Sequence, residues 1–200
     1  MAVCACTTAG DDTTSLRALL DGSEVIEGLT VDFEMRWTLL TAVVAAGDAD
    51  LPAIEAEQAR EDTAAGRERA ARARAARPVE TAKEEAWAAA VEGSELPNAI
   101  VDAVALGFAR PGTPAHLLRP FVDRYHAMLD TVEDKGSHAS VESIVVGFYP
   151  RPLADRQLHD ASQAWLDSHP DAPAALRRLV VENRDPVARA VAAQERDARD

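Results

Sequence analysis

Apolar residues recur along most of the chain at spacings of three and four, which is the period of amphipathic α-helices. The clearest case is the stretch VDFEMRWTLLTAVVAAG, which places four apolar side chains at helical spacing: Phe33, Trp37, Leu40 and Val44. Asp32 can cap the start of this stretch, and Gly47 can end it. We therefore predict a helix between these two residues.

Helix start and stop signals continue through the rest of the sequence. They predict helices at 51–60, 63–77, 81–93, 96–108, 114–129, 137–148 and 153–168. Pro78 closes the second of these, and Thr81 with Glu84 forms a capping box at the start of the third, which holds Trp87.

Two further starts lie near the C-terminus. Asp171 can cap a helix that carries Leu176, Leu179 and Val180. The pair Asp185–Pro186 predicts the start of the last helix, because proline at the first helical position loses no hydrogen bond. The run SIVVGFYP resembles a strand, but its position between helical segments favours a buried helix.

The predicted organisation is a series of helices with short connections. Short loops between helices of about 10–16 residues favour antiparallel packing of consecutive helices. Such an array is either a closed bundle or an open α-solenoid. Because no fixed repeat period is visible, a solenoid would be irregular. We predict a disordered tail at residues 1–14 and one helical domain at 15–200.

Composition removes several classes of partner. The 200 residues carry a formal net charge of -13, which repels phosphate backbones and anionic lipid, so neither nucleic acid nor a membrane is expected as a partner. No apolar run approaches the ~18–20 residues that span a bilayer. The N-terminus lacks the pattern of a signal peptide, and Cys4 and Cys6 are too few for a disulfide framework or a structural zinc site. These features predict a cytoplasmic protein.

The sequence offers no motif for catalysis. Its five histidines are scattered, and none belongs to an H-E-x-x-H pattern: His116, His126, His138, His159 and His169. A G-x-S-x-G elbow, a Walker loop and a G-x-G-x-x-G turn are also missing from the sequence. We predict no catalytic residue and no metal ligand in this chain.

The arginines between 67 and 77 are spread around their predicted helix, which is poor geometry for a basic groove. The preceding acidic segment offers ion-pair partners for them: Glu55, Glu57, Glu61 and Asp62.

Arg36 is the candidate binding residue, because it lies between Phe33 and Leu40 on the apolar face of its helix. A charge there needs a partner. One interpretation is a structural pair with a carboxylate of a neighbouring helix, and this is the interpretation that we favour. The other is an anchor for a substrate carboxylate, since a guanidinium offers two parallel donors. Lys83, one turn before Trp87, presents the same two alternatives.

Five stretches, taken in order, resemble the C-terminal region of aminopeptidase N zinc metallopeptidases, particularly those of the actinobacterial branch. They are LRALLDGSEVIEGLTVDFEMRWTLLTAVVAAG, DTAAGRERAARARAARPVETAKEEAWAAAVE, LLRPFVDRYHAML, IVVGFYPR and APAALRRLVVENRDPVARAVAAQERD. The resemblance covers Leu16 to Asp197. The stretch MAVCACTTAG departs from the family, as does Val79, where a polar capping residue would be usual.

The resemblance implies an all-α, irregular HEAT-like solenoid that closes over an active site and forms much of a peptide chamber. In that family the zinc, its ligands and the general-base glutamate belong to a catalytic domain upstream, so no catalytic or metal role carries over to this chain. The expected partners are that catalytic domain, normally on the same chain, and a peptide substrate.

Three hypotheses follow for the function. In the first, the chain is the helical part of an aminopeptidase N-like enzyme and is inactive by itself. In the second, it is a stand-alone helical scaffold that binds a protein partner on its concave face. In the third, it is a truncated remnant without an independent role. An upstream reading frame that encodes H-E-x-x-H favours the first or the third, and an unrelated neighbour favours the second.

Overall fold

The computed structural model describes residues 10, 12–93, 96–135 and 138–198. All regular elements within those ranges are helical, which confirms the all-α prediction. The α-helices are α1 (Thr14–Asp21), α2 (Phe33–Ala46), α3 (Leu51–Arg60), α4 (Ala64–Ala76), α5 (Glu80–Trp87), α6 (Asn98–Phe108), α7 (Ala115–Leu118), α8 (Phe121–Leu129), α9 (His138–Gly147), α10 (Arg156–Ser168) and α11 (Ala174–Asp197).

Three shorter helical elements complete the description. A π-helix (Ala88–Glu92) directly continues α5, and two 3₁₀ turns lie at Val132–Lys135 and Arg151–Leu153. Along the described part of the chain, no helix has both the length and the apolar character needed to cross a bilayer.

The described residues pack into two compact units, one up to Leu117 and one from Leu118 onward. The predicted single domain at 15–200 stays a prediction. The predicted tail at 1–14 falls mostly outside the described residues, since these include only 10 and 12–14 of it. Cys4 and Cys6 also lie outside them.

The core of the first unit is built around α2. Its buried side chains Trp37, Leu40 and Val44 pack with Ile54 of α3 and with alanines of α4. The predicted ends of α2 are confirmed. An Asp32 Oδ1 atom accepts a hydrogen bond from the Met35 backbone nitrogen at 2.9 Å, and Gly47 ends the helix in the left-handed region at φ 92°.

The alanine-rich helix α4 packs closely against α6. The closest approach is at Gly107, where an added Cβ would lie 2.2 Å from the Arg72 carbonyl oxygen and 2.9 Å from the Ala75 Cβ. The small side chains of the α4 alanines and of Gly107 on α6 therefore allow the backbones of these two helices to come close together. This close approach fills the space between the helices without large aromatic side chains.

The second unit packs α8, α9, α10 and α11 around one another. Its fully buried large side chains include Phe121, Tyr125, Phe148, Tyr149 and Leu158. The run SIVVGFYP lies mainly in α9, which confirms the prediction of a buried helix rather than a strand.

The prediction of a single helix at 114–129 was wrong. This segment is divided into α7 and α8, and Pro120 precedes the first residue of α8. Proline has no backbone N–H for the helical ladder, and its ring clashes with the carbonyl four residues earlier. The chain therefore turns at Arg119–Pro120 before α8 begins.

The predicted helix start at Asp185–Pro186 was also wrong. Pro186 lies inside α11, which runs without interruption from Ala174, and Pro173 rather than Asp171 precedes the first residue. Buried residues continue on both sides of the proline, at Asn183, Val187 and Val191. Burial of that long face offsets the cost of one proline inside a helix, which is about 3 kcal/mol.

Two further boundaries differ from the prediction. Thr81 is not a cap, because α5 already begins at Glu80 and follows Val79 without a side-chain cap. The predicted helix at 153–168 begins only at Arg156, where Asp155 accepts a hydrogen bond from the Leu158 backbone nitrogen at 3.0 Å. An aspartate that satisfies a free backbone donor determines this start.

Candidate functional site

Arg36 lies at the meeting point of the first three helices. It projects from α2 toward Glu57 of α3 and toward the end of α1. Its Nε donates to Glu57 Oε1 at 2.6 Å and its Nη2 donates to Glu57 Oε2 at 2.6 Å, while its Nη1 donates to the Leu20 carbonyl oxygen at 2.9 Å. All three guanidinium nitrogens are therefore bonded, and two of them form the parallel fork that suits a carboxylate.

The Arg36–Glu57 pair is shielded from water. The exposed fraction is 23% for the Arg36 side chain and 9% for that of Glu57, and the exposed Arg60 adds a second cation at 3.7 Å from Glu57. The hydrogen bonds to Glu57 raise the pKa of Arg36 above its ordinary value, although burial acts in the opposite direction. Removing either side chain would leave the other without its main hydrogen-bonding partner.

Two clefts border Arg36. The larger has a volume of about 540 Å³ and combines the apolar side chains Leu40, Val43 and Pro52 with charged residues. The smaller, of about 320 Å³, is mainly apolar and shares Leu20, Asp21 and Arg36 with the first. The charged lining of the larger cleft is mixed in sign: Arg17, Asp21, Arg36, Asp48 and Asp50.

The position of Arg36 provides what the structural interpretation requires, namely a carboxylate from a neighbouring helix. Because the guanidinium also borders both clefts, its role as a substrate anchor stays a prediction. A peptide carboxylate could reach this arginine only by competing with Glu57 for the same two donors.

The arginines of the α4 region find varied partners. Arg67 pairs with Asp62 at 2.6 Å, which is one of the predicted acidic residues. Arg69 instead pairs with Glu34 of α2 at 3.0 Å, and Arg74 donates to the amide oxygen of Gln58 at 2.8 Å. The region therefore connects α4 to both α2 and α3.

Lys83 is fully buried, with 0% exposure. Its ammonium donates to the Ala75 carbonyl oxygen at 2.6 Å and lies 3.4 Å from the Gly107 carbonyl oxygen. These carbonyls belong to the last turns of α4 and α6, whose oxygen atoms have no partner within the helix and attract a cation. None of the ion pairs among the described residues includes Lys83, so the structure provides carbonyl oxygens in place of the predicted structural carboxylate. The role of Lys83 as a substrate anchor stays a prediction.

The surroundings of Lys83 disfavour its charge. Burial, together with like-charge repulsion from the neighbouring Arg110 and Arg77, lowers its pKa to about 7. Both arginines are themselves buried, with 5% and 6% exposure. Lys83 therefore loses its proton in the folded protein far more readily than an exposed lysine does.

A buried polar network crosses the second unit. Tyr125 Oη donates to the Val145 carbonyl oxygen at 2.8 Å. Asn183 Nδ2 donates to that same carbonyl at 2.8 Å and to Tyr125 Oη at 3.2 Å, and Arg151 donates to Asn183 Oδ1 at 3.0 Å. The network joins α8, α9 and α11 through groups that all have partners, so it specifies how these helices pack.

A serine and a histidine form the second part of this network. His126 Nδ1 lies 2.8 Å from the Val122 carbonyl oxygen, which can only accept, so Nδ1 carries the proton. Burial lowers the pKa of His126, which favours the neutral ring with Nε2 as an acceptor. The single Ser162 hydroxyl proton has two acceptors within reach, the Leu158 carbonyl oxygen at 2.9 Å and His126 Nε2 at 3.1 Å. Tyr149 then donates to Ser162 Oγ at 3.0 Å. Ser162 has 0% exposure, so this pair is closed to substrate and its role is structural.

Tyr125→Phe is expected to lower the free energy of unfolding by about 1–2 kcal/mol, because it leaves one donor of Asn183 buried without an acceptor. The ring and its packing remain, so the effect isolates the hydroxyl group. Urea unfolding of the variant and the wild type measures it. A change below about 0.5 kcal/mol would mean that water already satisfies this part of the network.

The structure does not assemble a metal centre from the histidines that it describes. His159 lies beside Asp160 and His169 beside Asp130, at 2.8 and 3.3 Å. Throughout the described ranges, no three His, Cys, Asp or Glu side chains come together in a way that could hold a metal ion. The donor set of this part of the chain therefore does not fit a zinc site, which needs three or four converging ligands.

Sequence reasoning missed the network around Tyr125, Tyr149 and Asn183. The three residues are far apart in sequence and belong to no spacing motif. The available signal was weak: a polar Asn183 that falls between apolar positions of α11, and a tyrosine on the apolar face of α8.

Comparisons with known proteins agree with the earlier resemblance. The family described as the ERAP1-like C-terminal domain matches residues 2–189. Aminopeptidase N of Streptomyces lividans is 45% identical over 183 residues, which cover 92% of this chain and 21% of the relative. The chain thus spans about a fifth of the length of the curated relative that it matches.

Proposed function

The chain belongs to the ERAP1-like C-terminal domain family, and from this premise we propose that it serves as the C-terminal helical part of an aminopeptidase N-like enzyme. The observation that carries the proposal is an alignment that extends over nearly the whole chain at 45% identity with Streptomyces lividans aminopeptidase N.

In this proposal the chain supplies shape, and another part of the enzyme supplies the chemistry. The catalytic domain would hold the zinc ion and remove N-terminal residues from peptides. The helices described above would form an irregular HEAT-like solenoid that borders the peptide chamber, in the cytoplasm. Support comes from the all-helical fold and from two clefts beside Arg36.

The isolated chain is expected to bind zinc in much less than stoichiometric amounts and to hydrolyse neither alanyl nor lysyl chromogenic amides, with or without added zinc. The physical reason is that hydrolysis needs a polarising metal and an activated water, and the proposal places both on another part of the enzyme. Metal analysis and amide hydrolysis of the purified chain measure this. About one tightly bound zinc per chain together with hydrolysis of either amide would contradict the proposal that another part of the enzyme holds the catalytic zinc.

A further inference from the structure

An apolar surface is exposed on the segment between α1 and α2, at residues 22–32. Val25 is 82% exposed, the highest value among the large apolar side chains of the described residues. Ile26, Leu29 and Val31 in the same segment are only half-buried. A single exposed aliphatic side chain is ordinary, whereas a contiguous apolar group is typical of a surface that binds another molecule. We call residues 22–32 the 22–32 surface.

The 22–32 surface contains a preformed cleft. This is the smaller cleft beside Arg36, of about 320 Å³, and its lining is mainly aliphatic: Leu19, Leu20, Val25, Ile26, Leu29 and Val31. An apolar anchor that fills such a pocket typically supplies much of the binding energy at an interface.

The backbone of the segment is held in place. The Glu24 backbone nitrogen donates to the Ala18 carbonyl oxygen at 3.0 Å, and that of Leu29 donates to the Ile26 carbonyl oxygen at 3.0 Å. Gly22 and Gly28 adopt φ of 81° and 80°, which other residues rarely adopt. A segment that is already ordered loses little entropy when a partner binds.

The charged residues of the segment from 21 to 32 are all acidic. Asp21, Glu24 and Glu27 are all exposed, and the sequence from 21 to 32 contains no lysine or arginine. Arg36 also lines the cleft, but its three nitrogens are bonded to Glu57 and Leu20. Charge complementarity therefore favours a basic partner.

We propose that the 22–32 surface docks the remaining part of the aminopeptidase N-like polypeptide. The occupant is a segment of that part which inserts an apolar side chain into the cleft and places lysine or arginine beside Asp21, Glu24 and Glu27. The chain matches only 21% of its relative, so about four-fifths of such a polypeptide lies outside it. The inference rests on the proposed function, because the occupant is another part of the same enzyme.

The test uses a chimaera in which this chain replaces the matching fifth of Streptomyces lividans aminopeptidase N. Amide hydrogen exchange of residues 22–32 is compared between the chimaera and the isolated chain. We expect exchange in the chimaera to be about tenfold slower. Val25→Asp is expected to restore the faster exchange, because it places a charge in the apolar cleft. The matched control is Leu106→Asp on α6, whose native side chain is 58% exposed, and it should leave the protection intact.

Each other outcome overturns the docking proposal. Equal exchange in the chimaera and the isolated chain would mean that nothing covers the surface, and an equal loss of protection in both variants would mean a non-specific effect. A chimaera that hydrolyses alanyl amides without protecting 22–32 would contradict only the docking site, whereas an inactive chimaera would contradict the proposed function as well. If the isolated chain sediments as a dimer with 22–32 already protected, the occupant is a second copy.

Discussion

Arg36→Ala is expected to lower the free energy of unfolding by about 3 kcal/mol, at the lower end of the range for breaking a buried ion pair. The variant leaves the Glu57 carboxylate, 9% exposed, without its two charge-assisted hydrogen bonds. It also leaves the Leu20 carbonyl oxygen without its donor at 2.9 Å. The exposed Arg60, at 3.7 Å from Glu57, can replace only part of this interaction.

The matched control for Arg36 is Arg67→Ala, which removes an ion pair with exposed fractions of 53% and 72% and should change stability by less than about 1 kcal/mol. The double variant Arg36→Ala/Glu57→Ala should recover part of the loss, because no unpaired charge remains. Urea unfolding measures all four proteins. An unchanged unfolding midpoint for Arg36→Ala would reject the structural role and favour the substrate-anchor role that stays a prediction.

The free energy of unfolding of the unit that contains Lys83 is expected to rise by about 3 kcal/mol between pH 7 and pH 9.5. Burial lowers the pKa of Lys83 in the folded protein to about 7, while the unfolded chain has the ordinary value of 10.5. Between these values the unfolded state binds a proton that the folded state has released, so stability increases with pH. Below pH 7 the cost of the buried charge is fully present.

Lys83→Met is expected to abolish this pH dependence, because methionine fills a similar volume and does not titrate. Urea unfolding of both proteins at pH 7.0, 8.0, 9.0 and 9.5 measures the difference in slope. The series ends there because burial also raises the pKa of Tyr149 to about 12, which reduces stability as the pH rises above the ordinary tyrosine value of 10.0. Parallel curves for the wild type and Lys83→Met would show that Lys83 does not cause the dependence.

Local signals predicted most of the helices because their physical causes are local. Asp32 and Gly47 satisfy or terminate backbone hydrogen bonds within a few residues, so the ends of α2 can be read from the sequence. Pro186 was misjudged for the opposite reason. Whether a proline ends a helix depends on how much apolar surface beyond it is buried in the fold, and Val187 and Val191 are both buried. That information is tertiary.

The partners of buried polar groups also depend on tertiary packing and could not be predicted from the sequence. The apolar face of α2 indicated that Arg36 needed a partner, but it could not identify Glu57, which lies 21 positions away on α3. Lys83 shows a greater departure from expectation. A buried lysine suggested a carboxylate, whereas the structure provides the carbonyl oxygens of Ala75 and Gly107 at two helix ends. The close packing of α4 on α6, which brings those ends together, depends on Gly107 and is not visible in either helix alone.

We propose that this chain completes an aminopeptidase N-like enzyme without contributing to its chemistry. The most direct test is the rate of alanyl amide hydrolysis by the chimaera, compared with that of the Streptomyces lividans enzyme lacking the replaced fifth. We expect kcat/KM of the chimaera to lie within about tenfold of the intact enzyme and at least about 100-fold above the shortened one. A chimaera that folds but is no faster than the shortened enzyme would contradict the claim.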